Sequence, residues 1–167
     1  MNARTRITAL AAAVALPATA AGAYAAGAAH QADPPPTATR FQLAQVVDPV
    51  GARGRTLGLA KVEIPAHTAL ALHRHPGHQI AYIDRGTLTY TVRTGVVEVY
   101  RGPADADPTL VRRIRAGQTG KVRAGEWVVE RPGDVHFGAN RGSRVVEITL
   151  ATLFRTGEPA SIPVEER

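Results

Sequence analysis

From Phe41 onward the chain is written in short apolar runs separated by turn residues. FQLAQVV, TLGLAKVEI, ALALHRH, HQIAYID, TLTYTV, VVEVYR, TLVRRI, EWVVER, VHFGA and RVVEITLATLF are rich in valine, leucine, isoleucine or threonine, and glycine, proline or aspartate recur between them. Leu88, Tyr90 and Val92 alternate with Thr87, Thr89 and Thr91, the two-residue period of a strand with one buried face. No segment holds a helical period over three turns, and no repeat of roughly 20 to 50 residues is visible. So many short strands must close or pair to hide their edges, which predicts an all-β sandwich or barrel.

The pattern stops upstream of Phe41. Arg4 and Arg6 precede an apolar run from Ile7 to Leu16, Pro17 interrupts it, and Ala-x-Ala sites follow at Ala18 to Ala20 and Ala23 to Ala25. This is the layout of a signal peptide, so cleavage is expected after Ala25, or at a site up to residue 29. Residues 26–40 contain three consecutive prolines and no apolar period, and read as an extended arm. The expected domain is 41–156, and 157–167 reads as a C-terminal tail. The chain has no cysteine, which excludes disulfides and lipid attachment at a cysteine. The mature protein is expected to be secreted or extracytoplasmic, with no membrane attachment after cleavage.

Composition narrows the partners. An apolar fraction of 44% suits one ordinary core, and aromatic residues make up only 5%. The net charge is +6, but without Arg4 and Arg6 it falls to +4, and the remaining arginines are spread along the chain. Nucleic-acid binding is not expected. Arg112, Arg113 and Arg115 form the densest basic cluster, the kind of charge that guards an edge strand.

The candidate chemistry lies in the histidines. His73 and His75 are two apart on an expected strand, where alternation turns them to one face, and His136 follows in ERPGDVHFGAN. The segment His73 to Gly86, HRHPGHQIAYIDRG, resembles the first motif of the cupins: two histidines one apart, three residues, an acidic ligand, six residues, glycine. The second motif is met from Gly125 to Asn140, with Gly133, His136 and Asn140 at its spacing. The resemblance implies a single conserved-barrel cupin, a double-stranded β-helix or jelly roll. It implies one divalent transition metal, manganese, iron, nickel, copper or zinc, held by His73, His75, Gln79 and His136.

Two positions depart from the motifs. Arg131 stands where the second motif has proline, with Pro132 beside it still able to make the turn. The acidic ligand position is Gln79, whose carbonyl can bind a metal without neutralising its charge. Such a site would favour anionic ligands or a bound hydroxide. His78 replaces it only if a bulge after Gly77 turns it inward, and otherwise is a surface residue. Glu130 reads either as a general base or as an acid paired with a neighbouring arginine. Tyr82, Tyr90, Trp127 and Phe137 flank the motifs as wall or as core packing, and His67 reads as structural.

Two functional classes remain. One is a metal-dependent enzyme, dioxygenase-like or isomerase- or lyase-like, acting on a small oxygen-rich compound that chelates the metal. The other is a non-catalytic module that binds a small molecule or sugar. Small cupins also suggest a homodimer, with Phe41 to Val47 at the interface.

Overall fold

A computed structural model of the chain describes residues 36–103 and 105–165. The segment expected to be a signal peptide, residues 1–25, and most of the expected arm, 26–40, lie outside the described residues. Thirteen strands follow one another: β1 (Thr39–Val47), β2 (Arg55–Ile64), β3 (Thr68–Ala69), β4 (His73–Arg74), β5 (Gly77–Arg85), β6 (Thr87–Thr94), β7 (Val96–Arg101), β8 (Thr109–Arg115), β9 (Thr119–Arg123), β10 (Glu126–Glu130), β11 (Val135–Asn140), β12 (Val146–Arg155) and β13 (Ile162–Pro163). There is no helix among the described residues, as the apolar period predicts.

The strands form two antiparallel sheets. One has seven strands in the order β1-β2-β12-β5-β10-β7-β8, and the other runs β13-β4-β11-β6-β9, with β3 also paired to β11. Alternation sets what each strand buries: in β6, Leu88, Tyr90 and Val92 point inward while the threonines sit at intermediate exposure. The core between the sheets is aliphatic, with Ile64, Ile83, Val92, Val97, Val99 and Val122 essentially inaccessible to solvent. Each such side chain contributes roughly 1.5–3 kcal/mol on burial. Both sheets therefore need each other.

Three local outcomes differ from the sequence pattern. The run ALALHRH is not one strand: it breaks at Leu70 to Leu72 between β3 and β4, and His75 lies just past the end of β4. Strand alternation alone does not bring His73 and His75 together. The chain crosses from one sheet to the other here, and Gly77 makes the crossing tight. A Cβ on Gly77 would lie 2.1 Å from the Leu153 carbonyl oxygen of β12. Second, β9 was hidden in TGKVR, whose glycine and lysine have low strand propensity. Gly120 is needed because a Cβ there would meet the Ile114 side chain at 2.7 Å. Third, β13 falls in the stretch read as a tail, where Ile162 and Pro163 pair with Arg74 and His73.

Both ends of the seven-stranded sheet are charged or open. Arg112, Arg113 and Arg115 lie on β8, the outermost strand, as expected for an edge. At the other edge β1 is exposed along its whole length, including Phe41, Leu43, Val46 and Val47.

Candidate metal centre

The histidines meet through register. His136 on β11 pairs directly with His73 on β4, and His75 follows two residues later where the chain leaves that sheet. The ring centroids are 4.7 Å apart for His73 and His136, and 4.9 Å for His73 and His75. One ligand nitrogen from each lies within 4.8 Å of the others, and all three residues are buried. Phe154 stacks on the His75 ring at 5.5 Å and Tyr90 on the His136 ring at 5.1 Å, which fixes their planes.

A second cross-strand pair faces them from the other sheet. Glu130 on β10 is registered with Gln79 on β5, and both side chains are buried. Gln79 Nε2 donates to Glu130 Oε2 at 2.5 Å, and the Tyr90 hydroxyl donates to Oε1 at 2.7 Å. The carboxylate also stands 3.2 Å from His75 Nε2 and 3.4 Å from His136 Nε2. One acid is therefore ringed by four of the site's side chains.

Backbone carbonyls set the tautomers. His73 Nδ1 is 2.7 Å from the Ala71 oxygen, and His75 Nδ1 is 2.6 Å from the Ala160 oxygen. A carbonyl only accepts, so each Nδ1 donates its proton and each Nε2 is left as the lone-pair atom. This is the orientation that metal-binding histidines commonly receive from their outer partners. At His75 the lone pair meets the Gln79 amide nitrogen at 3.3 Å and a Glu130 carboxylate oxygen at 3.2 Å, and a proton or a cation between nitrogen and carboxylate removes the repulsion.

The protonation preferences show the same tension. Burial lowers the pKa of His75, but its hydrogen bond with Glu130 and the nearby charge more than offset this and hold it above the ordinary value. His136 is pushed down to about 4, by burial first, with Glu130 opposing and the other two histidines adding to the fall. His73 is lowered by burial. Glu130 would be raised by burial, yet His136, His75 and Tyr90 hold it well below the usual carboxylate range. The site is built around a carboxylate that stays charged.

A divalent transition metal fits these residues. Three buried imidazoles whose ligand nitrogens lie within 4.8 Å of one another form a donor set such ions accept. Beside the site lies a cavity of about 250 Å³. Its walls are Val62, Leu70, Ala81, Leu88, Ile148 and Leu150, and its polar end is the histidine cluster with Gln79, Tyr90 and Glu130. Arg40, Ala160 and Ser161 also line it. Arg40 has no ion-pair partner among the described residues.

The sequence-derived candidates separate cleanly. His73, His75, Gln79 and His136 are brought together. His78 is exposed on a regular part of β5, so no bulge rescues it. His67 sits in a turn with φ of 57°. Of the four aromatic residues only Tyr90 lines the cavity. Tyr82 is 42% exposed and pairs with Trp127 on the outer face of its sheet, while Phe137 borders a separate depression. Asn140 is structural, its Nδ2 facing the carbonyls of Ile64, Pro65 and Arg144 at 2.7–3.0 Å. Glu130 is neither solvated nor arginine-paired as the acid of a turn would be; its place at the end of an alternating strand was the available signal. Arg40, placed in the arm from sequence, belongs to β1.

No family model matches the chain, and no curated protein matches it. Solved structures do resemble it. A cupin 2 domain-containing protein from Halorhodospira halophila is 14% identical over 77% of this chain and 70% of that one, with a TM-score of 0.49. A cupin-like protein from Thermotoga maritima is 19% identical over 76% and 75%, with a TM-score of 0.48. A cupin superfamily protein from Desulfitobacterium hafniense is 11% identical over 71% and 78%, with a TM-score of 0.47. Such likeness concerns fold alone. On its own two sheets and two motifs, the chain has a cupin-like double-stranded β-helix fold.

Proposed function

We propose that this protein is a metal-dependent enzyme whose His73, His75 and His136 hold one divalent transition metal, and whose substrate is a small oxygen-rich acid. The observation that carries the reading is the convergence of three buried imidazoles with a buried carboxylate on the lining of one cavity. The bound ion would supply Lewis-acid chemistry, polarising an oxygen of the substrate.

The remaining residues fit that role. Apolar side chains make up much of the cavity wall, a low-polarity surrounding in which the electrostatic interactions of the histidine cluster are strengthened. The cavity volume suits a compact molecule. Arg40 places a guanidinium on the cavity lining, suited to receive a carboxylate or enolate oxygen. Tyr90, donating to Glu130, holds the acid in place. The fold does not choose between oxygenation and isomerase- or lyase-type chemistry.

The test is elemental analysis of protein purified without chelators or a histidine tag, beside His73→Ala and His136→Ala. About one transition metal per chain, lost in both variants, is the expected result. Folded wild-type protein that remains metal-free after loading would overturn the reading and leave a binding module. Oxygen uptake by loaded protein with enol and diketone acids then separates oxygenation from redox-neutral chemistry.

A further inference from the structure

We propose that Glu130 is the anionic metal ligand of this site, supplying from β10 the charge that Gln79 lacks on β5. The inference rests on the metal-binding reading above. In sequence the two residues are far apart, and Gln79 occupies the motif position where an acid is expected. In the fold they are directly registered neighbours on adjacent strands, so exchanging acid and amide between them moves the charge by one strand spacing, about 4.8 Å.

The distances fit ligation better than a supporting role. Donors placed about 2.0–2.1 Å from an ion in a tetrahedral shell stand about 3.4 Å from one another. Glu130 presents one oxygen 3.2 Å from His75 Nε2 and the other 3.4 Å from His136 Nε2. Those are separations between neighbouring ligands for His75 and His136; Glu130 is not among the three residues whose ligand atoms all lie within 4.8 Å of one another, so the acid reaches the ion from the side of these two histidines. Without an ion, a proton on His75 Nε2 bridges the nearer of the two pairs, so the metal binds there in place of that proton.

Gln79 then becomes a positioning residue. A carboxylate oxygen can only accept, so the amide nitrogen must face Glu130 at 2.5 Å, which turns the amide oxygen away. That oxygen is the one left without a hydrogen-bond partner. Tyr90 holds the other carboxylate oxygen from the opposite sheet, so the acid is fixed on both sides. Carboxylate ligands are commonly oriented by outer hydrogen bonds of this kind.

The test uses calorimetric titration with Zn²⁺ and the electronic spectrum of the Co²⁺-loaded protein, with wild type, Glu130→Gln and the exchange variant Gln79→Glu/Glu130→Gln. Glu130→Gln is expected to weaken Zn²⁺ binding by about 100-fold or more and to change the Co²⁺ ligand-field bands, because an anionic donor is lost. The exchange variant restores charge from the neighbouring strand and is expected to recover at least about 10-fold of that affinity. If Glu130→Gln does not fold, the exchange variant carries the test: tight Zn²⁺ binding with wild-type bands would support the proposal, and weak binding would oppose it. Folded Glu130→Gln with unchanged affinity, or with weakened affinity but unchanged Co²⁺ bands, would overturn the ligand role. Wild-type protein that binds neither ion would instead bring down the metal-binding reading itself.

Discussion

Strand β10 buries two glutamates on one face, Glu126 and Glu130, four residues apart with Val128 between them. Their surroundings are opposite. Glu126 accepts from Arg101 at 2.7 Å, from Arg112, and from the Arg123 backbone amide at 2.9 Å. Glu130 meets Gln79, Tyr90, His75 and His136. Permanent cations, exposed Arg101 and half-buried Arg112, surround Glu126, and neutral or titratable groups beside a cavity surround Glu130. One strand thus carries a saturated acid and an acid left in need of a cation.

The largest expected effect follows from removing the partners of the second acid. His136→Ala deletes one of the three proposed ligands, and metal binding measured by elemental analysis should fall to background; Arg112→Ala should leave it at the wild-type level. Equal losses in both would erase the distinction between the two ends. Glu126→Gln should do the reverse. Breaking a buried ion pair costs roughly 3–5 kcal/mol, but Arg101 is 58% exposed and can return to water, so a loss of about 2 kcal/mol is expected in denaturant unfolding. Zn²⁺ affinity should be unchanged in that variant, and a parallel loss would show that Glu126 also serves the site.

Tyr90→Phe tests whether Glu130 needs its support from the opposite sheet. The hydroxyl is buried and gives its hydrogen bond to Glu130 Oε1, so its removal should cost about 1–2 kcal/mol of stability and about 10-fold in Zn²⁺ affinity. A stability loss without any change in affinity would reduce Tyr90 to packing. Arg40→Ala should leave metal content intact and weaken binding of a small carboxylate such as formate by about 10-fold, read as inhibition or by calorimetry. Unchanged carboxylate affinity would remove Arg40 from the proposed substrate site.

Most of the barrel was legible because alternation is a local property of the sequence. The period in Leu88, Tyr90 and Val92 needs no partner to be read, and each of them is buried. The histidines were legible from spacing, although the reason offered for His73 and His75 was incomplete, since a sheet crossing rather than a regular strand joins them. Glu130 was harder because its meaning depends on register. Pairing with Gln79 is a contact between distant segments, and nothing in RPGD or its flanks tells that the acid is opposite the vacant acidic position. Arg40 was hidden by the neighbouring prolines, which made its segment look like an arm. Strand β9 was hidden by a glycine that the packing of Ile114 requires.

The smallest effect is one of pH, and it sharpens the contrast at Glu126. Burial alone would raise this acid, but the Arg123 amide, Arg101 and Arg112 outweigh it and hold the folded pKa below the ordinary value. An acid whose folded pKa is depressed adds stability that is fully present above its unfolded pKa, about 4.3, and is lost as the pH falls through the folded value. The stability gap between wild type and Glu126→Gln should therefore be constant from neutral pH down to about 5 and should narrow steadily below about 4. Urea unfolding of both proteins across that range measures it. A gap that stays constant into strong acid would mean that Glu126 contributes through shape and hydrogen bonding and not through its charge. The end of the barrel away from the histidines would then be a packed polar layer, and the comparison with Glu130 would rest on geometry alone.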